Sequence, residues 1–132
     1  MSRIPRLAII AHDGKKADLV AFATFNRDRL AEFRLVATSS TGKLLKDKVG
    51  LEVEYVESGP LGGDVQIASR VVEGEIDGVI FMVDPLYRHP HEPDIQTLLR
   101  ICNVCNVPLA TNSATADALI GSPLLSELRA AS

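Results

Sequence analysis

The stretch GVIFMV at residues 78–83 is apolar without interruption and rich in β-formers. A strand with one wet face alternates apolar and polar residues. A strand covered on both faces does not, and reads as a short continuous run like this one. Both-face burial is the mark of a parallel sheet sandwiched between helices. Other runs of similar character lie on either side: RLAIIA (6–11), RLVAT (34–38), VEYVE (53–57) and VPLAT (107–111).

Between these runs the apolar period lengthens to that of a helix. Lys15–Leu30 carries Ala17, Leu19, Val20, Phe22 and Phe25. Thr41–Val49 carries Leu44 and Leu45, and Asp64–Glu75 carries Ile67, Ala68, Val71 and Val72. Asp94–Asn106 carries Ile95, Leu98, Leu99, Ile101 and Cys102, and Ser113–Ile120 closes the set. Strands alternating with helices predict an α/β fold: a single-domain, doubly wound sandwich with a five-stranded, mainly parallel sheet and helices on both faces. The domain spans 1–132, its core about 5–120, and LLSELRAAS after Pro123 reads as a short extra helix. No repeat, linker or low-complexity tract interrupts it.

Composition narrows the function. The chain has 132 residues, a net charge of −3, and a core built without Trp. No Lys/Arg block stands out, so nucleic acid is not an expected partner. An anionic substrate must be caught locally, by backbone N–H groups and a few placed cations. MSRIPRLAII is too short an apolar run for a signal peptide. No stretch nears the roughly 20 apolar residues of a membrane span. Two cysteines without an export signal point to a reducing cytoplasm.

In a parallel sheet, ligands bind past the carboxyl ends of the strands. Those positions hold His12-Asp13-Gly14-Lys15-Lys16, Thr38-Ser39-Ser40-Thr41-Gly42, Ser58 to Asp64, Asp84-Pro85 with HPHEPD at 89–94, and Asn112-Ser113. TSSTG opens a predicted helix, and its hydroxyls and first-turn N–H groups suit a phosphate; plain N-capping by Ser or Thr is the competing reading. TSSTGK lacks the leading glycine of a nucleotide P-loop, and Leu44 stands where a hydroxyl should hold magnesium. HPHEPD offers His89, His91, Glu92 and Asp94 to a metal, but a polar loop capped by Asp94 is preferred, and no metal is expected. Cys102 and Cys105 have redox spacing but sit late in a helix, where the dipole does not activate a thiol. They read as core residues. In SGPLGGD (58–64), glycines allow close approach of a backbone to a ligand. Asp64 is then either a helix cap or a base.

Taken together, AHDGKK (11–16), T-x-x-TG (38–42), SGPLGGD-x-Q (58–66), IF-x-x-DPL (80–86), PHEPD (90–94) with LLR (98–100), and VPLATN (107–112) resemble the methylglyoxal synthase family over roughly residues 5–120. The resemblance implies that family's α/β fold and a cytoplasmic lyase. Its substrate is dihydroxyacetone phosphate, its products methylglyoxal and inorganic phosphate, and it needs no cofactor. It implies Asp64 as catalytic base and His91 serving the substrate oxygens, with Asp84 and Asp94 supporting them. His12, Lys16, Thr38, Ser39, Ser40, Thr41, Ser58 and Gly59 would contact the substrate, largely its phosphate. Asp13, Gly62 and Gly63 would support the site. It also implies a homohexamer and inhibition by phosphate. Two departures stand out. The family turn usually reads TGTTG, so Ser39 replaces a glycine and strains the turn if positive φ is needed there. Val65 and Ala68 replace the usual residues of GGDQQ-x-G. A non-catalytic module of the same fold, binding phosphate or a nucleotide effector, is the alternative reading. A related enzyme acting on another phosphorylated sugar is a third.

Overall fold

The computed structural model describes residues 4–57, 62–86 and 95–125. Its strands are β1 (Arg6–Ala11), β2 (Arg34–Thr38), β3 (Val53–Val56), β4 (Gly78–Met82) and β5 (Leu109–Ala110). They form one sheet in the order β3-β2-β1-β4-β5, and every pairing is parallel. The helices are α1 (Lys16–Phe25), α2 (Arg27–Leu30), α3 (Ser39–Leu44), α4 (Gly63–Val72), α5 (Ile95–Cys105) and α6 (Ser113–Gly121).

Strand periodicity divides the core into two layers. Leu7, Ile9 and Ala11 of β1 face one layer, with Leu19, Phe22 and Ala23 of α1, Leu30 of α2 and Leu119 and Ile120 of α6. Ala8 and Ile10 face the other, with Ile67 and Val71 of α4 and Leu98 and Cys102 of α5. GVIFM, the body of β4, is buried along its whole length. The chain steps outward from β1 to β2 to β3, then returns to lay β4 on the other side of β1. The order therefore reverses between β1 and β4, where a ligand crevice forms in doubly wound sheets.

Several boundaries differ from expectation. The helix expected over Lys15–Leu30 begins with a 3-10 turn at Asp13–Lys15 and breaks at Asn26. There the buried amide competes with the backbone: Nδ2 donates to the Phe22 carbonyl at 3.0 Å and to Asp117 at 2.9 Å. Phe25, counted on the apolar period of that helix, is 85% exposed. Thr41–Val49 is also wrong at its start, since α3 begins at Ser39 and passes into a π-helical turn at Leu45–Val49. VEYVE is an edge strand with Glu54 and Tyr55 exposed, not one covered on both faces. The run VPLAT keeps ladder geometry only at Leu109–Ala110. Residues 124–125 are helical and Leu125 is buried; most of the expected tail helix lies outside the described residues.

Candidate active site

The site is assembled at the carboxyl edge of the sheet. His12 follows β1 and is only 6% exposed. Its ring stands edge-on to Phe81 of β4, with centroids 5.1 Å apart. Its Nδ1 accepts a hydrogen bond from the main-chain N–H of Asp84 at 2.9 Å. The Asp84 carboxylate accepts from the Leu86 N–H at 3.0 Å and lies against Gly14, whose missing Cβ leaves it room.

Lys16 connects this loop to the next one. Its ammonium pairs with the Asp13 carboxylate and donates to Ser40 Oγ at 3.1 Å. The turn it meets begins with Thr38, 2% exposed, which stands before α3 in extended conformation. The Thr38 side chain makes no cap hydrogen bond, so plain N-capping does not explain TSSTG. Thr41 is fully buried, and its Oγ1 has no hydrogen-bond partner among the described residues. A hydroxyl in that condition costs stability until an acceptor or donor reaches it. Ser39 does not have the positive φ that would favour glycine, so the strain expected from it is absent.

Asp64 lies in the first turn of α4 and is 7% exposed. The two glycines before it serve different ends. Gly62 is left-handed, with φ 91°, and turns the chain into the helix. Gly63 lies so close to β3 that a Cβ would overlap the carbonyl of Glu57 and crowd Cγ2 of Thr38 at 2.9 Å. A third group seats the same turn: Gln66 Oε1 accepts from the Glu57 N–H at 2.8 Å. The start of α4 is thereby seated beside the Thr38 turn with its carboxylate shielded from water.

The expected residues thus gather in linked sets: His12 with Asp84, Asp13 with Lys16 and Ser40, and Thr38 with the Gly63–Asp64 turn. Ser58, Gly59, His91 and Asp94 lie outside the described residues. So does HPHEPD, and among the described residues no cluster of His, Cys, Asp and Glu suits a metal ion. Phe81 and the main-chain N–H of Asp84 were missed from the sequence. Gln66 was visible as the last letter of SGPLGGD-x-Q, but its contact to Glu57 was not.

Residues 18–111 match the model of the MGS-like domain. The chain belongs to the methylglyoxal synthase family. It is 55% identical to a methylglyoxal synthase of Thermus thermophilus over 114 residues, covering 86% of this chain and 90% of that one. The crystal structure of methylglyoxal synthase from Elizabethkingia anophelis NUHP1 superposes with a TM-score of 0.89 at 43% identity, covering 92% of this chain and 80% of that one. The family likeness also extends to an uncharacterized protein of Synechocystis, sll0036, 55% identical over 114 residues. That match covers 86% of this chain and 26% of that longer protein.

Proposed function

We propose that the chain converts dihydroxyacetone phosphate to methylglyoxal and inorganic phosphate, with Asp64 as the base. Membership of the family supports the reaction. The observation that carries the residue assignment is the burial of the Asp64 carboxylate at the head of α4, next to the Thr38 turn.

Asp64 removes a proton from the hydroxymethyl carbon beside the ketone. The electron pair moves to the ketone oxygen, giving an enediolate. A carboxylate is a weak base for such a carbon, so shielding from water and donors to the developing oxyanion supply the rest. The hydroxyl proton on the first carbon shifts to the neighbouring oxygen. The bared oxygen becomes an aldehyde as the π pair drives phosphate off the far carbon. The enol left behind takes a proton at that carbon and loses its hydroxyl proton to become methylglyoxal. Expulsion needs the C–O bond perpendicular to the enediolate plane. A single lysine cannot impose that direction, but the hydroxyls and N–H groups of Thr38 to Thr41, braced by Lys16, can. The unmet Thr41 hydroxyl supports a phosphate at this turn. Asp13 positions Lys16, and Asp84 supports His12. By family resemblance Ser58 and Gly59 complete the phosphate contacts, His91 donates to the substrate oxygens, and Asp94 supports it. A homohexamer, inhibition by phosphate and a cytoplasmic location belong to the same reading. An effector-binding module would have no use for a base sealed from water, which favours the lyase.

Purified protein mixed with dihydroxyacetone phosphate, without added metal, should release methylglyoxal and phosphate in equal amounts. Asp64→Asn should lose about 10²-fold or more in kcat while still binding phosphate. If the variant keeps more than about a tenth of the wild-type rate, Asp64 is not the base. If wild type yields neither product yet binds phosphate, the chain is a binding module.

A further inference from the structure

His12 stands at the point where the ladder between β1 and β4 ends. The last regular step is the His12 N–H donating to the Met82 carbonyl at 3.1 Å. In a parallel ladder the Asp84 N–H would next donate to the His12 carbonyl. That carbonyl is already turned away, accepting from the Lys15 N–H at 2.9 Å as the chain enters its 3-10 turn. The imidazole takes its place: the Asp84 N–H meets Nδ1 at 2.9 Å. The ring continues the ladder by one rung.

A main-chain N–H can only donate, so Nδ1 must present its lone pair and carry no proton. A half-turn of the ring would set a carbon against the N–H and leave a part-buried donor unmet. Edge-on packing against Phe81 also restrains the ring. The structure assigns His12 the neutral Nε2–H tautomer, with the main-chain N–H of Asp84 as the positioning group, so that His12 meets the substrate as an uncharged N–H donor and not as a cation. This deepens the proposed function and rests on it for the substrate contact. It gives Asp84 a part that belongs to its backbone. It also assigns the site's positive charge to Lys16, leaving His12 to supply direction.

Two measurements test it. Long-range proton–nitrogen correlation spectra of histidine-labelled wild type, with His12 assigned by its loss in His12→Gln, should show a pyridine-type Nδ1 and a pyrrole-type Nε2 near neutral pH. A pyrrole-type Nδ1, alone or together with a pyrrole-type Nε2, overturns the assignment. In a second test, glutamine places its amide near Nε2, and asparagine places its amide near Nδ1. His12→Gln should therefore exceed His12→Asn in kcat/KM by about tenfold or more, the worth of one hydrogen bond to a charged oxygen. Equal rates, or the reverse order, reject Nε2–H as the working donor. The spectrum does not depend on turnover. If wild type makes no methylglyoxal, the functional reading fails while the spectrum still decides the tautomer.

Discussion

Lys16 shows how a single side chain serves both charge and geometry. It pairs with Asp13 and reaches across to Ser40, so its removal takes away a cation and loosens the turn proposed to receive phosphate. Lys16→Ala should raise KM for dihydroxyacetone phosphate by about tenfold or more, the scale of a hydrogen bond to a charged group. Its effect on kcat should be the smaller one. Steady-state kinetics checks this, and an unchanged KM would remove Lys16 from the phosphate site. Residue types at the strand ends were legible in the sequence, because a parallel sheet must put its ligand groups there. What each residue touches was not. N-capping by Ser or Thr competed as a reading of TSSTG, yet the Thr38 side chain caps nothing, and Ser39 lacks the positive φ on which strain would have depended. Both outcomes turn on backbone angles that no residue letter specifies.

At the scale of the element, the turn into α4 depends on two adjacent glycines with different requirements. A methyl at Gly62 finds open space, so Gly62→Ala should cost only the left-handed backbone, about 1–2 kcal/mol. A methyl at Gly63 must displace β3 or the helix. Gly63→Ala should cost more and should also cut activity by moving Asp64. Denaturant midpoints for the two variants, with kcat beside them, measure the difference; equal losses in both would contradict the close approach to Glu57. The glycines were conspicuous in the sequence, but their separate tasks were not. The same applies to α1, where periodicity ran straight through Asn26. The break comes from an amide that reaches Asp117, ninety-one positions away.

Across the whole molecule, the apolar runs located all five strands, and for β1, β2 and β4 burial on both faces leaves little freedom of composition. They did not reveal which strands are edges. β3 keeps two apolar anchors and exposes Glu54 and Tyr55, and β5 shrinks to two residues, because order in the sheet depends on crossovers and not on local pattern. Burial also settles the cysteines. Desolvation, with the neighbouring Cys105 adding to it, pushes the Cys102 thiol up to about 11. Native protein should resist alkylation at Cys102 near pH 8, where the unfolded chain reacts. The unfolded thiol ionises first, so this contribution to stability is complete below about pH 9 and lost as pH rises through about 11. Cys102→Ala should flatten that part of a stability–pH curve. If its slope matches wild type, the shift is not coupled to folding.

The parallel order of the sheet bears on how activity is acquired. His12, Thr38, Asp64 and Asp84 come from four separate stretches of chain, and none meets the others until β2, β1 and β4 lie side by side and α4 has crossed back over them. Such contacts are distant in sequence and form late. No single one of these stretches holds the whole site, so recovery of turnover during refolding should not precede recovery of the paired sheet.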